Sequence, residues 1–279
     1  MQTNHEIPRE ELLYLAKEAA EIGAEIARKE RRNMTVSVEF KDSRNLVTNA
    51  DIASQGAIIE LIRSRYPSHR ILAEESARTE APDSYNKGYC WVIDPIDGTT
   101  NYAHGHFNVG VSVGCVLNGE GIAGAVAAPF LGEIFTAVKG GGAFLNGTPI
   151  RVKPTTKVAD AVITTGFPYD RSNSSNTCKR IERVVRVCRD LRRLGAASLD
   201  LCWVACGRLD GYYEECIQPW DAAAGSLILR EAGGVLAHFN YDCELQRMND
   251  QFKGDLYSDN LVACTPGIKD ELLRLLNGE

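Results

Sequence analysis

The stretch Trp91–Asn101, read Trp-Val-Ile-Asp-Pro-Ile-Asp-Gly-Thr-Thr-Asn, constrains this chain more than any other. It opens as a short apolar run, the pattern of a buried strand. It breaks at Pro95 and closes in Asp-Gly-Thr-Thr, a turn that can open a helix. Two residues separate Asp94 from Asp97, and Pro95 fixes the backbone between them. Both carboxylates, and a peptide carbonyl between them, can thus be aimed at one point just past the strand end. Hard oxygen ligands gathered this way suit Mg²⁺, which takes an octahedral shell and keeps several waters. Gly98 allows close backbone approach to a ligand, and the N–H groups of Gly98, Thr99 and Thr100 at a helix start offer a seat for phosphate. The same letters also suit a tight Asp-Gly turn with Asp94 as an ordinary strand-end acid. Taken alone, the segment leaves both readings open.

Three other segments bear on that choice. Arg70–Ala73 reads as a short strand that delivers Glu74-Glu75-Ser76; alternation sends the two glutamates opposite ways, so at most one reaches a metal directly. Leu46-Val47-Thr48-Asn49-Ala50-Asp51 precedes a helix, where Asp51 can also act as a helix-start acid. Trp220-Asp221-Ala222-Ala223-Ala224-Gly225 opens another helix, and Asp221 can likewise serve as a cap.

Together with residues 94–101, these segments resemble, in order and spacing, the motifs of the inositol monophosphatase family of Mg²⁺-dependent, lithium-sensitive phosphatases. The resemblance covers nearly the whole chain. It implies a layered αβαβα sandwich of the fructose-1,6-bisphosphatase and inositol monophosphatase type, commonly a homodimer. It implies two to three Mg²⁺ per site, held by Glu74, Asp94, the Ile96 carbonyl, Asp97 and Asp221. Thr99 with Asp51 then orients the attacking water, and Glu75 supports the site through a bridging water. The implied substrate contacts are Asp97, Gly98, Thr99, Thr100, Gly195-Ala196-Ala197, Glu214 and Asp221, while Lys41 matches a lysine that approaches the metals. Glu214 has its own logic, since a glutamate after two tyrosines in an apolar wall suits a polyol; as a bland alternative it is an edge-strand charge.

Composition sets the outer bounds. At 279 residues the chain is long enough for one large or two modest domains, and 44% hydrophobic with 24% charged residues is ordinary for a soluble globular protein. A net charge of −6 argues against a general nucleic-acid binder but not against an anionic substrate, because metal ions supply positive charge locally. No apolar run approaches the roughly 20 residues of a membrane span, and the polar stretch Met1–Glu11 lacks the core of a signal peptide. Nine cysteines without a Cys-x-x-Cys pair make a poor disulfide framework. These features point to the cytoplasm, with neither membrane nor nucleic-acid partner.

Pro8 to about Arg32 reads as an amphipathic helix, and Asp51 as the start of a second one ending at Tyr66-Pro67. Phe107–Leu117, Gly121–Ala128 and Glu133–Val138 read as strands, with hairpin turns at Asn118-Gly119 and Asn146-Gly147. The triple glycine 140–142 lacks a dinucleotide-site setting and reads as a loop or backbone crossing. Beyond Pro154 strands alternate with helices, including a helix Asn176–Asp190 and a strand Leu191–Leu194. The chain is thus expected as an α+β half, 1–154, carrying most metal ligands, followed by an α/β half, 155–279, carrying the specificity residues and Asp221. Arg192, Arg193 and Arg208 can reach a second phosphate, although exposed strand-end charge is their plainer role.

The reaction expected is hydrolysis of a phosphate monoester by metal-activated water, without a phosphoenzyme, and the substrate expected first is myo-inositol 1-phosphate. The alternatives are fructose-1,6-bisphosphatase or another small-phosphate phosphatase activity, and a non-enzymatic, metal-dependent regulatory binding protein.

Overall fold

The computed structural model describes residues 7–32, 38–40, 46–76, 82–168, 174–240, 254–256 and 259–279. Lys41 lies outside them.

The organising segment becomes β4 (Tyr89–Asp97), whose residues are buried almost throughout. It pairs in parallel with β3 (Arg70–Ala73) and antiparallel with β5 (Gly110–Leu117). β6 (Glu120–Ala128), β7 (Glu133–Val138), β8 (Gly142–Leu145) and β9 (Thr148–Pro149) extend the sheet antiparallel to seven strands. The expected turns hold the backbone they need. Asn118 and Gly119 have φ of 54° and 83°, Asn146 and Gly147 of 49° and 78°, the double left-handed geometry that matches strand twist. The triple glycine is a hairpin end, where the Glu231 carboxylate accepts from the N–H groups of Gly140 and Gly142 at 2.8 and 2.9 Å.

Helices α1 (Arg9–Arg32) and α2 (Asn49–Arg65) cover one face of this sheet through Leu12, Leu15, Ala19, Ile58 and Ile62, which pack on Trp91, Ile93, Val111 and Val113. A short two-strand ladder, β1 (Val38–Phe40) with β2 (Leu46–Thr48), leads into α2. The other face carries α6 (Pro219–Glu231), beside α5 (Ala197–Ala205). Small residues permit this approach: a Cβ on Gly114 or Gly124 would sit 3.2 Å from backbone atoms of Ala224. α5 and α6 bury their remaining surface on a second sheet of five strands. Its order is β11 (Asp190–Arg192), β10 (Val162–Thr165), β12 (Gly211–Glu214), β14 (Leu261–Cys264) and β13 (Val235–His238). Helices α4 (Ser174–Val185) and α7 (Lys269–Asn277) close the outer face around Val184, Ile268 and Leu272. The layers therefore run αβαβα, as the family resemblance implied.

Several boundaries differ from the expectation: β5 begins at Gly110 and not Phe107, and β11 covers Asp190–Arg192 and not Leu191–Leu194. α4 stops at Val185 and not Asp190, because Arg189 donates its N–H to Ala161 O and Asp190 pairs with Val162; sheet registry takes the chain out of the helix. α2 begins at Asn49, with Thr48 as its N-cap and Asp51 at the third helical position. The eight cysteines described are free thiols, and no described helix is long and apolar enough to cross a membrane.

Candidate active site

β4 carries an irregularity where the sequence breaks. Asp94 pairs with Ser112 but Asp97 with Gly110, three steps on one strand against two on the other. On a regular strand residues three apart face opposite ways. The extra residue of the bulge cancels that alternation and lets both carboxylates face one side. Ser54 Oγ donates to Pro95 O at 3.1 Å, and Ile96 N–H donates to Asp94 Oδ1 at 3.0 Å, so the bulge is held from outside and within. Beyond it Gly98 takes φ +86°, a left-handed turn in which a Cβ would lie 3.0 Å from both Asn108 O and Gly195 O. The short helix α3 (Thr99–Ala103) follows.

Asp221 comes to the same point from the start of α6, at the third helical position, where its Oδ2 accepts from Gln218 N–H at 2.9 Å. Oxygens of Asp94, Asp97 and Asp221, all buried, lie within 4.8 Å of one another. Asp97 is fixed by three donors: Ala197 N–H at 3.1 Å, Ser198 N–H at 2.7 Å and Ser198 Oγ at 2.5 Å. Burial, first of all, pushes the carboxyl groups of Asp94 and Asp221 well above the usual range. Glu74, Asp97 and Asp221 add to the rise at Asp94, and Asp97 and Glu74 to that at Asp221. Asp97 is also raised by burial, against the lowering pull of its Ser198 and Ala197 hydrogen bonds. Three buried acids that repel one another and have no basic partner among the described residues have the donor set of a hard divalent cation. Glu74, half-buried in the turn after β3, adds its charge, and the Ile96 carbonyl stands nearby, accepting from Thr99 Oγ1 at 3.1 Å.

Thr99 Oγ1 also lies 3.2 Å from Asp51 Oδ1. Asp51 is fully buried; its Oδ2 accepts from Thr48 N–H at 2.9 Å and from the Thr48 hydroxyl. Burial lifts its carboxyl to about 6, with Glu75 contributing and the Thr48 bonds opposing. Asp51 is thus both the helix-start acid and the partner of Thr99, two alternatives that turn out compatible. Glu75 is placed by its N–H, which donates to Gln55 Oε1 at 2.8 Å.

The wall of the cleft comes from the second sheet. Glu214, at the end of β12, has Oε2 at 2.6 Å from the Tyr212 hydroxyl, which donates to it. Burial raises the Glu214 carboxyl to about 7 despite that bond. Gly195 and Ala197 border the Gly98 turn, and Thr100 is exposed one step along α3. Asn101 ties the two sides together: its Nδ2 donates to Asn108 O and Leu194 O, both at 2.8 Å, and reaches Gly195 O at 3.3 Å. Every candidate ligand and contact of the sequence analysis except Lys41 is therefore among the described residues around this cleft. Ser198 and Ser54, which hold Asp97 and the Pro95 carbonyl in place, were not singled out in sequence, while Thr48 and Tyr212 stood within segments already quoted without a holding role.

The inositol monophosphatase family model matches residues 9–277. This chain belongs to that family. Its reaction class, divalent-metal-dependent hydrolysis of a phosphate monoester, agrees with the buried acid triad. Among curated family proteins, the chain is 41% identical to a Nus factor SuhB of Pasteurella multocida over 91% of each chain. It is 40% identical to an inositol-1-monophosphatase of Synechocystis over 83% of this chain and 77% of the other. The fold is similar to that of the extragenic suppressor protein suhB of Bartonella henselae, with a TM-score of 0.80, 31% identity and 95% and 96% of the two chains covered.

Proposed function

We propose that the protein hydrolyses myo-inositol 1-phosphate to inositol and phosphate. The observation that carries this choice is Glu214. Tyr212 holds one of its oxygens, which leaves Oε1 to accept from a ring hydroxyl at the cleft wall. The identity with the Synechocystis inositol-1-monophosphatase supports it.

In this reading Asp94, Asp97 and Asp221, with Glu74 and the Ile96 carbonyl, hold two to three Mg²⁺. The bound cations supply positive charge that acidifies water and stabilises the departing alkoxide. Thr99 accepts a hydrogen bond from the attacking water and passes its proton toward Asp51, which is fixed by Thr48 and whose carboxyl burial lifts to about 6. Glu75 supports the same water through its place beside Asp51. The first N–H groups of α3 lack intrahelical acceptors and face the phosphate. Ser198 and Ala197 keep Asp97 from turning away. Residues 1–154 then bring most of the chemistry, and 155–279 bring Asp221 and the polyol readers.

The test is Mg²⁺-dependent phosphate release from inositol 1-phosphate, fructose 1,6-bisphosphate, histidinol phosphate and adenosine 3′,5′-bisphosphate, each with and without Li⁺. Fastest, Li⁺-inhibited turnover of inositol 1-phosphate is the expected outcome; preference for another substrate keeps the metal site and removes the inositol assignment. A second reading, a metal-dependent regulatory partner, has its support in the relatives named Nus factors. Partner binding that survives in Asp94→Asn while phosphate release disappears would show two independent roles.

A further inference from the structure

The strand end that presents Glu214 carries a second acid, turned the other way. Glu214 bonds to Tyr212 on the inner side of the sheet, whereas Glu215 bonds to α4 on the outer side. Thr177 Oγ1 donates to Glu215 Oε2 at 2.6 Å, and Arg180 Nη1 donates to Glu215 Oε1 at 2.8 Å. Arg180 is anchored in turn, with Nη2 donating to Asn240 O at 2.9 Å. Arg180 is 8% exposed and Glu215 3%. Taking two such charges out of water costs about as much as their attraction returns, and apolar side chains would join helix to strand equally well. What an ion pair adds is a fixed position.

The next residue shows where that position is needed. Cys216 is buried and has φ +56°, a left-handed backbone that residues with a side chain rarely adopt. Such backbone persists only where the surroundings over-determine it. Its N–H donates to Asn260 Oδ1 at 3.3 Å, a long bond, and its carbonyl accepts from Gln218 Nε2 at 3.2 Å. The firmest hold on the turn is therefore the one through Glu215. On the other side of the turn, the Glu214 carboxylate has little latitude. Tyr212 holds Oε2, and the same oxygen fills the space of a side chain at Gly166, where a Cβ would lie 1.8 Å away. A strand end that slips takes Glu214 away from Tyr212 or into the Gly166 backbone. Asp221 is held separately, by the start of its own helix.

We infer that the buried Arg180–Glu215 pair, with Thr177, is a positioning clamp: it holds the left-handed turn at Cys216 and so sets the Glu214 carboxylate where it meets the hydroxyls of the substrate. This rests on Glu214 being the hydroxyl reader of the cleft. Arg180 and Glu215 act through Glu214 and touch no substrate themselves.

The test compares inositol 1-phosphate with p-nitrophenyl phosphate, whose ring offers Glu214 no hydroxyl. Both kcat and KM are measured with Mg²⁺ for the wild type, Glu214→Gln, Arg180→Lys, the double variant Arg180→Met/Glu215→Leu, and that double variant with Cys216→Gly added. The double variant removes both charges at once, so no buried carboxylate is stranded, and its melting temperature should stay near that of the wild type. Its kcat/KM for inositol 1-phosphate relative to p-nitrophenyl phosphate is expected to fall about fivefold or more, through KM. Arg180→Lys should fall between it and the wild type. Adding Cys216→Gly should return part of the loss, because a glycine turn needs no clamp. A ratio within about twofold of wild type in the double variant overturns the inference. So does an equal loss on both substrates, the mark of a merely structural role, or a loss that Cys216→Gly leaves untouched. If the inositol assignment alone is wrong, fructose 1,6-bisphosphate, which also carries hydroxyls, shows the clamp-dependent ratio instead. If Glu214→Gln moves the ratio for neither substrate, the reading of Glu214 falls and the clamp with it.

Discussion

Two strand ends face each other across the cleft, and they use acids differently. At the end of β4 a bulge gathers Asp94 and Asp97, and Asp221 joins them from α6, so three carboxylates share a buried point. At the end of β12 Glu214 is held by a tyrosine hydroxyl inside a wall of glycine and aromatic residues, and the next acid, Glu215, is paired with Arg180. Concentrated charge without a basic partner is costly without a cation and suits chemistry. A hydrogen-bonded acid is tolerable by itself and suits recognition. Damage to the first end should therefore stop turnover, and damage to the second should change which substrate is turned over.

The sharpest break is Asp94→Asn. Phosphate release should fall at least about a thousandfold, with Mg²⁺ binding by calorimetry lost and the metal-free protein no less stable, because a repelling charge has gone. Next comes Thr99→Val, which removes the hydroxyl next to Asp51. A kcat lower by about a hundredfold or more, with Mg²⁺ affinity retained, would place Thr99 on the proton path rather than among the ligands. Ser198→Ala takes one of three donors from Asp97, and Mg²⁺ affinity should weaken by about tenfold to a hundredfold. Glu214→Gln should raise the KM for inositol 1-phosphate about tenfold while kcat changes little; an equal fall in kcat would erase the division between the two ends.

The smallest effect concerns pH. Burial raises the folded-state values of Asp94, Asp97 and Asp221 above those of the unfolded chain. Such groups add their full stability below the ordinary aspartate value near 4 and lose it as pH rises through the raised values. The melting temperature of the metal-free protein is thus expected to fall by several degrees between about pH 5 and pH 8, and Mg²⁺ to restore more at the upper value. A melting temperature that rises over this range without metal would contradict the crowded-acid picture.

The gathering of Asp94 and Asp97 was legible because they close an apolar strand, where a core's polar rim lies, whereas Asp221, at a helix start, was tied to them by the family resemblance. The layered architecture came with the family resemblance and with the βα alternation after Pro154. The bulge was not legible. Spacing alone puts Asp94 and Asp97 on opposite faces of a strand, and only the shift against β5 reconciles them. Asp51 looked like a choice between cap and active-site partner, but a carboxylate has two oxygens: one faces Thr48 and the other Thr99. The holding residues were hidden for another reason. Ser198 and Asn101 act across distances in sequence that a local pattern does not record, as when Asn101 reaches carbonyls at 194 and 195.

Asp221 enters from a helix clasped between the two sheets. During synthesis the β4 bulge leaves the ribosome long before that helix does, so a nascent chain carries two of the three acids and none of the wall that holds Glu214. An unfinished molecule has no complete cation site with which to attack cellular phosphates; competence arrives late, when the middle layer docks.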